Sequence, residues 1–167
     1  MAEDLGVITA DVVALREAIA APGMAVLQFA FGSDAANPHL PHNHRPLEFV
    51  YPGTHDNDTI AGWYKRIGAG ERAAFHAYLN KSALFGFADV PWLMIQSALA
   101  SVAYTTIVQM QDVLGLDNDA RMNKPGQAAG NWAWRLSPAQ FAALDKPAAR
   151  LRRLNELYGR CDKPKRK

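Results

Sequence analysis

Two short apolar runs stand out in the first third of the chain, and each lies next to a proline-glycine pair. Met24 to Phe31 contains one polar residue, Gln28, and follows Pro22-Gly23. Leu47 to Tyr51 has a single charge and is followed by Pro52-Gly53. Short apolar runs bounded by turn residues are typical of strands buried on both faces, as in parallel sheets. The β-branched stretch Thr105 to Met110 is either a third strand or the continuation of a helix.

Helical periodicity separates these runs. The predicted helices are Ala10–Ala20 with Thr9 as N-cap, Thr59–Ile67, Gly70–Leu79, Pro91–Tyr104, and a closing segment from Ser137 to about Tyr158 with a break near Pro147. Alternation of strand and helix patterns predicts an α/β fold. We expect the first two strands to be parallel neighbours, because consecutive strands joined by crossovers usually pair in that way.

The composition is that of a globular protein. The 167 residues are 49% hydrophobic and 20% charged, which predicts one domain, or part of one, over residues 1–167. An integral membrane protein is excluded, because no run approaches the roughly 18 apolar residues of a membrane span. The acidic start of the chain predicts no secretory signal, and the single Cys161 favours a reducing compartment. We therefore expect a cytoplasmic location.

Positive charge is concentrated at the end of the chain. Residues 150–167 contain eight basic and two acidic residues, a net charge of +6, against −4 for residues 1–149. Such a segment could contact nucleic acid or an acidic surface. No aromatic interleaving or binding motif accompanies the charge, so we expect no nucleic-acid partner. The favoured interpretation is a solvated terminal helix with a disordered basic tail from about residue 159 to 167.

Two carboxylate clusters are candidates for chemistry. Glu3-Asp4 opens the chain, and His55-Asp56-Asn57-Asp58 follows the second predicted strand. Ligands of parallel α/β folds bind at the carboxyl ends of strands, where the second cluster lies. Paired carboxylates suit glycosidic-bond chemistry, one as the acid and the other to stabilise a cationic transition state. The simpler interpretations are a helix cap or solvated surface for Glu3-Asp4 and an Asx turn for His55-Asp56.

Histidines form a third cluster. His39, His42 and His44 lie in one loop, and His55 follows eleven residues later. Histidine is the commonest metal ligand, so a histidine-loop metal-binding module is one alternative. Prolines interrupt this loop and no cysteine accompanies it, so we expect no metal site.

Aromatic residues allow two interpretations. Phe29, Phe31, Trp132 and Trp134 could stack on sugar rings or fill a core, and we expect most of them in the core.

Several longer strings resemble the 4-α-glucanotransferases, which are the amylomaltases or disproportionating enzymes of the α-amylase clan. The strings are Ala2 to Thr9, Pro22 to Phe31, Asn37 to Asn43, Gly53 to Thr59, Gln111 to Leu116, and Ala120 to Gly126 continuing through Gly130 to Leu136. They cover nearly the whole chain in the order of the family. The resemblance implies the C-terminal part of an α-amylase-type (β/α)8 TIM barrel, incomplete, with about strands 5 to 8.

The resemblance also implies roles for five residues. Glu3 matches the general acid/base, and Asp56 matches the carboxylate that stabilises the transition state. His55 matches a histidine that contacts the same sugar ring as the Asp56 carboxylate. Asn123 lies in a loop similar to one that lines the family's substrate groove, and Phe29 matches an aromatic residue near the acceptor sugar. The nucleophilic aspartate of the family precedes the Glu3 motif, and we expect the chain not to contain it.

The implied activity is transfer of an α-1,4-glucan segment to the 4-hydroxyl of glucose or a maltodextrin, with retention and without a metal or organic cofactor. We expect the isolated chain to be inactive unless the missing N-terminal half of the barrel joins it. The alternatives are a non-catalytic remnant and the partner-dependent half of a split enzyme.

Overall fold

A computed structural model describes residues 1–6, 8–80 and 86–161. The helices are α1 (Ala10–Ala18), α2 (Ile60–Arg66), α3 (Ala69–Tyr78), α4 (Val90–Leu99), α5 (Met110–Val113), α6 (Pro138–Ala142) and α7 (Asp145–Leu157). The strands are β1 (Gly23–Val26), β2 (Glu48–Tyr51) and β3 (Thr105–Thr106). Within the described ranges, no helix is long and apolar enough to cross a membrane.

The described strands form one parallel sheet in the order β1-β2-β3. Val26 lies opposite Tyr51, and Val50 lies opposite Thr106. The prediction of parallel, adjacent first and second strands is confirmed. Because all three strands end at the same edge, the segments that follow them meet there.

The strands are shorter than the apolar runs predict. After Val26 the chain turns into a 3₁₀ helix, Leu27–Phe29, so the strand predicted to Phe31 is wrong beyond residue 26. Leu27 and Phe31 are nevertheless buried, which explains why the run is apolar. The helix predicted to reach Tyr104 ends at Leu99, and two of the following residues pair with β2 as β3.

The main core is formed between the sheet and helices α2, α3 and α4. Phe75 of α3 lies at the centre of this core and is 0% exposed. Its ring meets Phe31 at 5.1 Å and Trp63 at 5.6 Å between centroids, both edge to face. These pairs bury large apolar surfaces in a favourable geometry, and they join α3 to α2 and to the segment that follows β1.

The closing helices begin at a capping box. Ser137 accepts a hydrogen bond from the Gln140 backbone, and the Gln140 side chain accepts one from the Ser137 backbone. The predicted break near Pro147 is wrong, since the interruption falls at residues 143–144. Pro147 lies in the first turn of α7, where a missing N–H leaves no helical hydrogen bond unmade.

Helix α1 and the C-terminal segment differ in how far they pack against the rest of the described chain. The apolar stripe of α1 is exposed at Val12, at Leu15 and at the C-cap residue Ile19, and α1 buries no residue against the described part of the chain. In contrast, Arg160 lies in the range expected to be disordered but donates hydrogen bonds to the carbonyls of three residues, Leu99, Ser101 and Ala103. The remainder of that predicted tail, residues 162–167, lies outside the described residues.

Candidate active site

A cavity of about 450 Å³ opens at the carboxyl edge of the sheet. Its lining includes Glu3, Phe29, His55 and Asp56, four of the five site residues that the sequence predicts. The fifth, Asn123, contacts Asp56 from the neighbouring loop. The structure therefore brings all five predicted residues to one place.

Glu3 is positioned by its neighbours beside β1. The Ala2 N–H donates to the Pro22 carbonyl at 2.8 Å, and the Met24 N–H donates to the Asp4 carboxylate at 2.7 Å. Asp4 also pairs with Arg16 at 3.2 Å. The two acids of this cluster thus have different roles: Asp4 anchors the segment, and the exposed Glu3 lines the cavity.

The loop after β2 contains both the turn and the candidate carboxylate. The backbone N–H and the hydroxyl of Thr54 each donate to Asn57 Oδ1 at 2.8 Å. The Thr54 hydroxyl in turn accepts the N–H of Asp56, two residues on, at 3.3 Å. The turn is therefore of the Ser/Thr type and is closed by Asn57, so the Asx turn that was the simpler interpretation of His55-Asp56 is wrong. The carboxylate of Asp56 is not used in the turn and lines the cavity.

Two side chains contact the carboxylate of Asp56. Asn123 Nδ2 donates to Asp56 Oδ1 at 2.6 Å, and His55 Nε2 lies 3.2 Å from the same oxygen. The Asp56 side chain remains about two-fifths exposed. A carboxylate held in one orientation and open to solvent can accept hydrogen bonds from sugar hydroxyls and stabilise positive charge nearby.

Two exposed aromatic rings flank these polar groups. Trp132 is 55% exposed, and its ring centroid lies 5.0 Å from that of His55. Phe29 is 44% exposed and lines the cavity. The expectation that most of the four aromatic residues lie in the core is wrong, because Phe31 is buried and Trp134 only partly buried, whereas Phe29 and Trp132 are exposed. The exposed rings can offer surface for stacking. Phe29 is among the five predicted site residues, whereas Trp132 is not.

Arg121 is a second residue that the predicted site lacks. Its guanidinium donates to the Asn123 carbonyl at 2.7 Å and to the Asp56 carbonyl at 2.5 Å, and it pairs with the carboxylate of Asp58. Asp58 is nearly fully buried and also pairs with Arg66. The sequence signal for Arg121 is its place in the string Ala120 to Gly126, two residues before Asn123.

A buried carboxyl lies behind the loop. Asp112 Oδ1 accepts a hydrogen bond from the N–H of Ile60, the first residue of α2, at 2.7 Å. Asp112 Oδ2 has no hydrogen-bond partner among the described residues. Burial raises the pKa of Asp112 to about 7, although the bond from Ile60 opposes the shift.

Hydrogen bonds occupy the rings of the three loop histidines. Val26 N–H donates to His39 Nδ1, His44 contacts the Ser101 hydroxyl and the His39 carbonyl, and His42 contacts the Tyr78 hydroxyl and the Ala35 carbonyl. Burial lowers the pKa of His39 and of His44, so both rings favour the neutral form. Across residues 1–6, 8–80 and 86–161, the side chains form no three-ligand cluster of histidine, cysteine and acids.

Known proteins match this chain over nearly its whole length. The family profile of glycoside hydrolase family 77, described as 4-alpha-glucanotransferase, matches residues 1–141. The chloroplastic/amyloplastic 4-alpha-glucanotransferase of Arabidopsis thaliana is 54% identical over 161 residues, which are 96% of this chain and 27% of that protein. The 4-alpha-glucanotransferase of Thermus thermophilus is 46% identical over an alignment of 167 residues, which covers 96% of this chain and 32% of that protein.

A solved structure shows the same relation. An amylomaltase from Streptococcus agalactiae, in complex with acarbose, superposes with a TM-score of 0.86 at 30% identity, covering 96% of this chain and 32% of that one. The described helices and parallel sheet thus form part of an α/β barrel. The chain spans about a third or less of the length of these relatives.

Proposed function

The chain belongs to the 4-alpha-glucanotransferase family, and we propose that it supplies one side of an active site that transfers α-1,4-glucan segments to the 4-hydroxyl of glucose or a maltodextrin. The observation that carries this proposal is the cavity at the carboxyl edge of the sheet, where Glu3 and Asp56 face the same space.

The two carboxyl groups have different roles in the proposed reaction. Glu3 protonates the oxygen that leaves when the glycosidic bond breaks, and later takes the proton from the 4-hydroxyl of the acceptor. Asp56, fixed by Asn123 and His55, accepts hydrogen bonds from ring hydroxyls and stabilises positive charge on the sugar. Phe29 and Trp132 provide exposed rings for the apolar faces of the glucose units.

Retention at the anomeric carbon requires one more group. A retaining mechanism forms a covalent glycosyl-enzyme through a carboxylate nucleophile. Glu3 and Asp56 are the carboxylates that line the cavity in the described part of the chain, and both already have roles. We propose that the nucleophile comes from a region that the relatives have outside the matched third.

Exposed surfaces of the described fold also support the proposal that further polypeptide completes the site. The apolar stripe of α1 is exposed, and β1 and β3 are the outer strands of the described sheet. A parallel α/β sheet normally has both its faces and its edges covered. The rest of the barrel, in the same or a second polypeptide, would cover these surfaces and complete the site.

Maltotriose disproportionation tests the proposal. The purified chain is assayed alone and after mixing with the remaining two thirds of the Thermus thermophilus 4-alpha-glucanotransferase. We expect glucose and longer maltodextrins only from the mixture. Glu3→Gln should lower the rate of the mixture by about 10²- to 10⁴-fold, the usual contribution of a general acid/base. Glu156→Gln, the same change on the exposed face of α7, is the matched control.

Three results would contradict parts of the proposal. Activity of the chain alone that Glu3→Gln abolishes would remove the need for a second source of nucleophile. An active mixture in which Glu3→Gln has no effect would remove the role of Glu3. No activity under either condition would favour the alternative, a non-catalytic remnant.

A further inference from the structure

We propose that Arg121 is a positioning residue that holds the loops of Asp56 and Asn123 at the spacing that their side-chain hydrogen bond requires. The importance of this spacing for sugar binding rests on the function proposed above. The spacing itself is a property of the folded chain and can be measured without catalysis.

The guanidinium of Arg121 bonds to both loops at once. Nε donates to the Asn123 carbonyl at 2.7 Å, and Nη2 donates to the Asp56 carbonyl at 2.5 Å. These carbonyls belong to the two residues whose side chains meet at 2.6 Å. Because a guanidinium is planar and rigid, its two donors fix the distance between the two carbonyls.

Asp58 orients the guanidinium from the opposite side. Nη1 of Arg121 donates to Asp58 Oδ1, and the Asp58 side chain is 1% exposed. Asp58, which also pairs with Arg66, thus supplies the negative charge beside Arg121 without using the carboxylate of Asp56. The oxygens of Asp56 therefore stay available for Asn123, His55 and a ligand.

Other bonds hold the same loops, so loss of Arg121 should loosen the site and leave the fold intact. The Asn123 N–H donates to the His55 carbonyl at 3.1 Å. Gln28 Nε2 donates to the Asp58 carbonyl at 2.7 Å. A lysine at position 121 would keep the charge beside Asp58 but lacks the fork that reaches both carbonyls.

The side-chain amide of Asn123 provides the readout. An amide proton that donates to a carboxylate is shifted downfield and exchanges slowly with water. In the chain labelled with ¹⁵N-asparagine, and with the Asn123 signal assigned from its absence in Asn123→Ser, we expect this signature in the wild type. Arg121→Lys should accelerate exchange of the Asn123 amide at least tenfold and move its shift toward the solvent-exposed value.

Arg160→Lys is the matched control. The Arg160 guanidinium also donates to three carbonyls, those of Leu99, Ser101 and Ala103, and none of these residues lines the cavity. We expect this variant to lower the melting temperature and to leave the Asn123 signal unchanged. A general loss of stability would affect both variants alike, whereas a positioning role affects only Arg121→Lys.

An Asn123 amide that is unchanged in folded Arg121→Lys would overturn the inference. If that variant fails to fold, the Nε–H of Arg121 in the wild-type chain decides instead. We expect that proton to be protected from exchange and coupled through its hydrogen bond to the Asn123 carbonyl carbon, and rapid exchange without coupling would overturn the inference. An inactive mixture in the disproportionation assay would count against the proposed function alone.

Discussion

Replacing Asp112 with asparagine tests how the fold tolerates a carboxyl group buried behind the candidate site. Asp112 is 1% exposed and accepts the Ile60 N–H at the start of α2, the helix that follows the Asp56 loop. Asparagine keeps an oxygen at this position but does not ionise. The variant therefore removes the titration while keeping the acceptor.

The magnitude follows from the shift in the pKa of Asp112. Its ordinary pKa is about 3.9, and in the folded chain burial raises the pKa to about 7. Between these values the folded state binds more protons than the unfolded state, so stability decreases as pH rises. At about 1.4 kcal/mol per pKa unit, Asp112 would destabilise the fold by at most about 4 kcal/mol above pH 7. About 2 kcal/mol of this loss falls between pH 5 and pH 7.

Urea unfolding at pH 5 and pH 7, followed by circular dichroism, measures this difference. We expect the free energy of unfolding of the wild-type chain to fall by about 2 kcal/mol more than that of Asp112→Asn over this interval, because only the wild type ionises at this site. Asp119→Asn changes an exposed aspartate nearby and is the control. It should keep the wild-type pH dependence.

Equal pH dependence of the wild type and Asp112→Asn would refute the reasoning, since it would mean that Asp112 titrates alike in both states. A larger loss of stability in Asp112→Asn than in the wild type as pH rises would refute it as well.

Three further predictions concern other parts of the fold. Burial lowers the pKa of His44, so stability should fall as pH drops below about 6.5; His44→Gln should reduce that loss in urea unfolding at pH 7 and pH 5, and an unchanged loss would contradict the cause. Ser137→Ala removes the acceptor for the Gln140 N–H and should cost about 1 kcal/mol, whereas equal unfolding midpoints would show that the capping box contributes little. Since His39, His42 and His44 already bond to other groups, the chain should retain no stoichiometric zinc after dialysis against a chelator, and retained zinc measured by mass spectrometry would refute this.

The sequence predicts those features of the site that depend on short segments. The apolar run that ends at Tyr51 and the polar residues that follow this run predict that Asp56 lies at the carboxyl end of a strand. The parallel pairing of β1 and β2 confirms the predicted arrangement of these two strands. Glu3 and Asn123 have no such local signal. The roles proposed for them rest on the resemblance to a family, and the structure places Glu3 at the cavity and Asn123 against Asp56.

What the sequence does not predict depends on contacts between distant positions. Arg121 meets Asp56 across 65 residues, and no spacing along the chain indicates that contact. The apolar run to Phe31 predicts burial correctly but not the end of β1, because a 3₁₀ turn can bury side chains as well as a strand does. The exposed stripe of α1 is a similar case. Helical periodicity predicts that the helix has an apolar face, but it does not predict which part of the protein packs against that face.

A chimera tests the central claim most directly, namely that Glu3 and Asp56 form the acid/base and the stabilising carboxylate of a glucanotransferase site. In the chimera, these 167 residues replace the matching segment of the Thermus thermophilus 4-alpha-glucanotransferase, and the measured quantity is the rate of maltotriose disproportionation. We predict that the chimera is active, that Glu3→Gln and Asp56→Asn each lower its rate by at least about 10²-fold, and that Glu156→Gln has no effect. A cooperatively folded chimera that is inactive, or one whose activity survives both substitutions, would contradict the claim.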